Sequence, residues 1–328
     1  MRQCADLPVT GGPDGMRAFE LQCRRSGLGH EGSVRENAVV VIRPVPPYRY
    51  VAVLQCISQP PPSRYNAGMI SAISPGLSAE RVAALCGAAA QSLAIRVVAQ
   101  TGSTNDDLLA EVRALKQPTL LWAQSQTAGR GRAGRAWHAA EGATLTFSLA
   151  WKFALPLHAL VGLPLAVGVS VADVLALYAI DVRLKWPNDL LRDGRKLGGI
   201  LIDTARDGDA CWAVIGIGIN MALPQQLDQT VLAAAAPELQ ADRGQVIATL
   251  ATALAENLQL FAQQGFAGFA DRWNARHAHA GRDVNIIDHG AVLYSGCANG
   301  VDASGRLLLD TAQGRVAVVA GDVSLRPI

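Results

Sequence analysis

From residue 78 onward the apolar positions of this chain switch between the period of a helix and that of a strand. Ser78-Ala-Glu opens a helical stretch whose apolar positions run to Leu93. Residues 95–99 read as a strand. Ser103-Thr-Asn-Asp-Asp then starts a helix to about Leu115, with a hydroxyl to cap the free amides and two acids at the positive helix end. Strands are predicted at 119–124 and 143–151, followed by a mostly buried helix at about 157–178. Further strands at 182–186, 189–191, 197–204 and 211–220 are joined in part by tight Asp193-Gly194 and Asp207-Gly208 turns. Such hairpins require a mixed or antiparallel sheet. Helices at 243–264 and 266–277 come next. The last 50 residues change character: 281–287, 292–298, 306–310 and 316–319 are short alternating strands divided by Gly or Asp turns, the pattern of a small β-barrel. The predicted class is α+β, a mixed sheet packed with helices followed by that barrel.

Residues 1–68 lack this regularity. Eight of the 16 prolines fall there, no lysine does, and Arg43-Pro-Val-Pro-Pro and Gln59-Pro-Pro-Pro suit extended chain. Two apolar segments, 39–42 and 50–54, have strand character but no partner of matching pattern. Little order is expected here, and the break at Met69 suggests that the working protein begins near that methionine, with 1–68 a disordered or non-native extension and 69–276 the main domain ahead of a 277–328 barrel.

Composition narrows the class. Half of the 328 residues are hydrophobic and 17% are charged, with no unbroken apolar run of membrane-spanning length, so a globular enzyme or binding protein is expected and no membrane partner. A net charge of +2 makes no electrostatic case for nucleic acid. The six cysteines are scattered without a CxxC pair, so neither zinc nor a disulfide framework is indicated. No apolar export signal follows Met1, which points to the cytoplasm. Only four of 29 basic residues are lysines, so Lys185 and Lys196, each inside a candidate motif, stand out against a chain that otherwise uses arginine.

The densest candidate chemistry lies at 124–135, Gln-Ser-Gln-Thr-Ala-Gly-Arg-Gly-Arg-Ala-Gly-Arg. Glycines let the backbone approach a ligand closely, while Arg130, Arg132 and Arg135 supply planar donors suited to carboxylate and phosphate. Gly129-x-Gly-x-x-Gly134 also fits the dinucleotide-binding letters, but that reading needs a helix after the loop, and the alternating run from Thr144 is a strand. A solvated basic loop satisfies the same letters. Three further segments carry polar groups at strand ends. In Lys185-Trp-Pro-Asn-Asp the proline fixes the bend that presents Asn188 and Asp189. Arg195-Lys-Leu-Gly-Gly-Ile-Leu sets a cation before glycines, Gly199 among them. Ile215-Gly-Ile-Gly-Ile-Asn leaves one strand face bare, able to lie against something flat or simply to pack on another element.

Taken in order, Ser103-Thr-Asn, Gln126 with the Gly129-Arg-Gly-Arg-Ala-Gly-Arg loop, Lys185-Trp-Pro-Asn-Asp, Arg195-Lys-Leu-Gly-Gly-Ile-Leu and Gly216-Ile-Gly-Ile-Asn resemble the biotin protein ligases from about residue 78 to the end. The close, Gly321-Asp-Val-Ser-Leu-Arg, is similar to the end of that family's C-terminal SH3-like domain. The resemblance implies an enzyme that activates the biotin carboxylate with ATP and passes the acyl group to a lysine of a biotin carboxyl carrier domain, with Mg²⁺ as a further cofactor.

It also implies roles. Ser103, Thr104, Asn105 and Gln126 line the biotin pocket. The loop of Gly129, Arg130, Gly131, Arg132 and Arg135 closes over the adenylate, with Arg132 and Arg135 toward the nucleotide. Lys196, with Gly199 beside it, sits near the carboxylate and α-phosphate, while Asn188 and Asn220 face the nucleotide. Fixed cations suit the attack of one anion on another, so Lys196 and Arg132 are the expected catalytic groups, with Asp189 or Lys185 assisting proton loss from the incoming amine. No protein metal ligand is assigned. Some relatives carry an N-terminal winged helix; the proline-rich start lacks that pattern, so no DNA partner is expected, and a homodimer remains open. The alternatives are a lipoate or octanoate ligase or transferase of the same fold, and a biotin-binding module without catalysis.

Overall fold

Helix α3 (Leu163–Leu177) is apolar on nearly every face, and a helix of that kind has to be surrounded. The computed structural model describes residues 18–23, 36–45, 49–56, 78–139, 141–208, 210–223, 233–288, 290–320 and 323–328. The chain divides into two units, 1–64 and 65–328.

In the first unit β1 (Ala18–Cys23), β2 (Glu36–Val45) and β3 (Arg49–Cys56) form an antiparallel sheet in the order β1-β2-β3. The two segments expected to lack partners therefore pair with each other, Val40 opposite Leu54, a meander that needs only local contacts. Met69, the suggested start, lies outside the described residues, as do Gly321 and Asp322 of the closing motif.

The second unit contains α1 (Ala79–Leu85), β4 (Ala94–Thr101), α2 (Thr104–Glu111), β5 (Thr119–Gln126), β6 (Thr144–Phe153), α3, β7 (Arg183–Lys185), β8 (Asp189–Arg192), β9 (Arg195–Asp207), β10 (Ala210–Asn220), α4 (Arg243–Gln264) and α5 (Ala270–Ala275). Its seven-stranded sheet runs β4-β5-β6-β10-β9-β8-β7, with β4 and β5 parallel and the other pairs antiparallel. The mixed sheet is thus as expected. Asp193 and Gly194 both take positive φ, 51° and 71°, the geometry that lets a two-residue turn follow the twist of β8 and β9.

Four predicted helices are shorter than their apolar patterns, and the last, 266–277, is a 3₁₀ turn up to Phe269 and α-helical only over Ala270–Ala275. The first ends at Leu85, and Gly87 is packed so closely on Thr252 of α4 that a Cβ would stand 2.8 Å from its methyl. The second ends at Glu111. The stretch 157–178 breaks at Gly162, whose φ of 85° separates a 3₁₀ turn (Leu157–Leu160) from α3. Residues 157–177 are long and apolar enough to cross a membrane, yet most of them are buried in the fold: α3 packs against α4 and the sheet.

The last segment is a five-stranded antiparallel sheet, β14-β13-β12-β11-β15, built from β11 (Asp283–Asp288), β12 (Ala291–Val301), β13 (Leu307–Thr311), β14 (Gly314–Val318) and β15 (Val323–Pro327). The alternating pattern did not mark β15, which ends in a proline. Side chains tie this sheet to the rest of the second unit. Asn274 bonds both backbone groups of Val301, at 2.8 and 3.1 Å, and Trp186 Nε1 donates to Gly305 O at 3.3 Å.

Two buried histidines sit at this junction. His277 lies against Trp273 with ring centroids 4.7 Å apart, and neither of its ring nitrogens has a hydrogen-bond partner among the described residues. Burial, and then His279, push His277 down to about 4; burial, followed by Lys185 and Arg282, does the same to His279. An unfolded imidazole takes a proton below about 6.5. Between pH 6.5 and 4 the unfolded chain therefore binds more protons, so stability should fall as pH drops through that window and be flat above it. Thermal melts at fixed ionic strength should show this slope in the parent protein and a shallower one in His277→Gln.

Candidate functional site

A cleft of about 370 Å³ opens over the β6-β10-β9 face, at the ends of β5, β8 and β10. Ser103, Thr104, Asn105, Gln126, Arg130, Gly131, Arg132, Arg135, Asn188, Asp189, Lys196, Gly199 and Asn220 all line it. Of the residues singled out from sequence, Gly129 and Lys185 stand outside its lining.

The floor is neutral. Ser103 caps α2 by accepting from Asp106 N, which turns Thr104 and Asn105 into the sheet. Gln126 Oε1 accepts from Thr104 N at 2.7 Å and from Thr104 Oγ1 at 3.0 Å. Ser148 reaches Thr104 Oγ1 and Asn105 Oδ1, both at 2.6 Å, and Asn105 Nδ2 donates to Asp203 Oδ2 at 2.9 Å. A buried network of this kind holds its members in one arrangement because each unmet group would be costly. Ser148 and Thr146 were legible in principle: with Thr144 they are polar at every second position of an otherwise apolar strand.

The rim is cationic. Between Gln126 and Ala139 the arginine loop folds back on itself, with Arg130 opposite Ala136, Gly131 N bonded to Arg135 O at 2.7 Å, and Trp137 N to Gly129 O at 2.8 Å. Ala133 and Gly134 make the reversal with φ of 53° and 70°. Gly129 serves this fold: a Cβ there would lie 2.3 Å from Trp137 O. Arg132 crosses the cleft to Asn188 Oδ1 at 3.0 Å, while Asn188 Nδ2 is anchored on Ile200 O at 2.8 Å. Arg135 is turned back onto the carbonyl of Arg132 at 3.3 Å and is exposed.

Lys196 sits where β9 begins. Its Nζ donates to Asp189 Oδ1 at 2.5 Å, and it lies beside Gly199, where a Cβ would stand 3.6 Å from Nζ, in ordinary contact. Lys185 lies opposite Asp189 in the β7–β8 ladder and pairs with its other oxygen at 3.5 Å, behind the cleft rather than in it. Burial works to raise the Asp189 carboxyl, but Lys196 and Lys185 outweigh it and hold it below the ordinary carboxylate range. Burial lowers Lys185, against the pull of Asp189. Asn220 is committed to structure: its amide donates to Ala234 O at 3.1 Å and Lys196 O at 3.4 Å.

The bare face of β10 does lie against flat groups. A Cβ at Gly216 would fall 2.3 Å from Asn105 Oδ1, and one at Gly218 2.4 Å from the Trp137 ring. Trp137, absent from the sequence-based set, is thus laid on the strand. Its Nε1 and Thr146 Oγ1 are buried with no hydrogen-bond partner among the described residues, a condition that a bound ligand can relieve. Among the described residues no three His, Cys, Asp or Glu side chains cluster as a metal site, and both oxygens of Asp189 already face ammonium groups.

Comparison with known proteins identifies the family and the fold. Residues 97–220 match the biotin/lipoate A/B protein ligase family and 279–326 the biotin protein ligase C-terminal domain. The chain is 37% identical over 239 residues to the bifunctional ligase/repressor BirA of Escherichia coli, covering 71% of this chain and 74% of that protein. It is 36% identical over 252 residues to the biotin–[acetyl-CoA-carboxylase] ligase of Mycobacterium tuberculosis, covering 73% and 91%. The solved biotin protein ligase of Aquifex aeolicus, in complex with biotin and ATP, superposes with a TM-score of 0.62 at 28% identity, over 72% of this chain and 99% of that one.

Proposed function

This chain belongs to the biotin protein ligase family, and on that premise we infer that it activates biotin with ATP and transfers it to a carrier lysine. In the first step a carboxylate oxygen of biotin attacks the α-phosphorus of ATP, the bond to the departing pyrophosphate breaks, and biotinyl-5′-AMP forms. In the second the carrier amine attacks the acyl carbon, AMP leaves, and the amine loses its proton. The single observation that carries this reading is the union of a neutral hydrogen-bonding floor with a rim of Arg130, Arg132 and Lys196 in one cleft.

The floor suits an uncharged ureido ring: Thr104, Asn105, Gln126 and Ser148 offer neutral donors and acceptors that a charged ligand would not satisfy. Lys196, beside the glycine strand, is positioned to meet the carboxylate and α-phosphate, and Arg132 to span from the loop to the Asn188 side. Charge building on phosphorus is stabilised by such fixed cations without an enzyme nucleophile. Magnesium is the counter-ion of the triphosphate, entering as Mg-ATP, which matches the preference of that ion for substrate phosphates over an all-protein cage. Asp189, in the cleft wall, and Lys185, paired with it, hold Lys196 in place and are the proposed aids to proton loss from the incoming amine. Biotin carboxyl carrier protein is the proposed acceptor, the cytoplasm the proposed location and a homodimer an open assembly. No DNA partner is proposed, and sequence-specific retention of operator DNA by the full chain would overturn that.

Incubation with biotin, Mg-ATP and a carrier domain, read by intact mass, should add one biotinyl group to the carrier. Addition of lipoate in its place, or binding of biotin with no pyrophosphate release, would favour one of the two rival readings. Arg132→Ala should release free biotinyl-AMP roughly ten- to hundredfold faster, as expected when one charge-assisted contact of about 1.5–3 kcal/mol is lost. Rapid filtration of the labelled intermediate measures that rate.

A further inference from the structure

One carboxylate outside the assigned set joins the neutral floor to the arginine loop. Asp203, in the middle of β9, accepts at a single oxygen, Oδ2, from Arg130 Nη2 at 2.8 Å and from Asn105 Nδ2 at 2.9 Å. Asp106, in the first turn of α2, reaches the same guanidinium at 2.5 Å to Nη2 and 3.1 Å to Nε. From Asn105 the hydrogen bonds continue through Ser148 and Thr104 to Gln126. Gln126 is the stem of the loop, its amide donating to Ala139 O at 3.0 Å. A closed circuit therefore runs from the loop's first arginine through the pocket floor to the loop's stem.

We propose that Asp203, with Asp106, is a positioning pair that latches the arginine loop and reports occupancy of the neutral pocket to it. Because Arg130 and Asn105 share one oxygen of Asp203, a ligand that hydrogen-bonds Asn105 alters the competition for that oxygen and so the hold on Arg130. Two acids from separate elements fix the guanidinium in one direction, which a lone surface pair would not do. The pair is also partly solvated, with Arg130 39% and Asp203 24% exposed, so the latch is weak enough to open and sensitive to salt. Its ligand side rests on the ligase reading; the latch itself is a property of the free protein.

The full-length protein and its Asp203→Asn, Asp203→Glu and Asp106→Asn forms would be digested with trypsin without ligand. Fragment masses would follow cleavage at Arg130, Arg132 and Arg135. Asp203→Asn and Asp106→Asn should each speed loop cleavage about fivefold, and Asp203→Glu should stay within about twofold of the parent, the scale of a partly exposed ion pair. Raising salt should accelerate the parent more than Asp203→Asn. With biotin and Mg-ATP, Asp203→Asn should also lose biotinyl-AMP faster, with an unchanged melting temperature. Cleavage of Asp203→Asn at the parental rate would overturn the latch, as would equal acceleration in the Asn and Glu forms accompanied by a lower melting temperature. A parent protein that forms no biotinyl-AMP would instead remove the ligase reading, while the digestion without ligand still decides the latch.

Discussion

Lys196→Ala is expected to lower biotin-dependent pyrophosphate release by about 10²–10³-fold, the loss seen when one preorganised electrostatic donor is removed. Two effects add in the same direction. The ammonium that faces the reacting anions disappears, and Asp189, its hydrogen-bond partner at 2.5 Å, is left with only Lys185 to balance it. Since burial opposes ionisation of Asp189, the neighbouring cations are what keep it charged, and a half-compensated carboxylate would then face the polyphosphate. Lys196→Arg keeps the charge but replaces a compact ammonium by a fork that has to fit over Gly199, so only partial activity should return. A coupled pyrophosphate assay at saturating biotin measures both variants. A loss smaller than about tenfold in Lys196→Ala would remove this lysine from the chemical step.

Trp186→Ala is expected to cost about 3–5 kcal/mol of stability, the range for deleting a fully buried large aromatic side chain. The side chain has no exposure, and its Nε1 donates to Gly305 O, so it links the strand end that presents Asn188 and Asp189 to the C-terminal sheet. Trp186→Phe keeps most of the packing and loses the hydrogen bond, for which about 1 kcal/mol is expected. The consequence for the site is specific: residues 187–189 follow directly, so loosening here shifts Asp189 and with it Lys196. Thermal melts combined with pyrophosphate release should show activity falling in Trp186→Ala even at temperatures where the protein stays folded. Full activity at such temperatures would show that the junction supports stability alone.

Much of the cleft was legible because its groups lie on short segments whose local chemistry is self-announcing. Ser103 caps the helix it was expected to cap, since a hydroxyl before two acids meets the free amides of a first turn. The arginine loop keeps its composition and its flanking strands. Lys196, Asn188 and Asp189 stand at strand ends, as the proline and the glycines implied. Lys185, offered with Asp189 as an aid to proton loss, could not be placed from sequence, because only strand register sets it opposite Asp189, within 3.5 Å of that carboxylate. Asn220 likewise carries the right chemistry, but the approach of the 233–236 segment takes its donors. Trp137 and Asp203 gave no local sign, because what matters in each is a partner far away in the chain, Gly218 for the first and Arg130 for the second. The helix endings at Leu85 and Gly162 follow from contacts with α4 and Phe266, which no periodicity records.

Sequence alone therefore determined which groups this protein has for its chemistry and on which kinds of element they lie, since capping, turn geometry and hydrophobic period are local properties of neighbouring residues. The tertiary structure decided which of those groups face one another. Sheet register places Gly199 opposite Gly218, and only a glycine at 218 lets the Trp137 ring lie on that strand. Packing draws Asp203 to Arg130 and Lys185 away from the cleft. Such pairings depend on long-range contacts whose energies become available only once the chain has closed the loops between them, and for that reason no local pattern carries them.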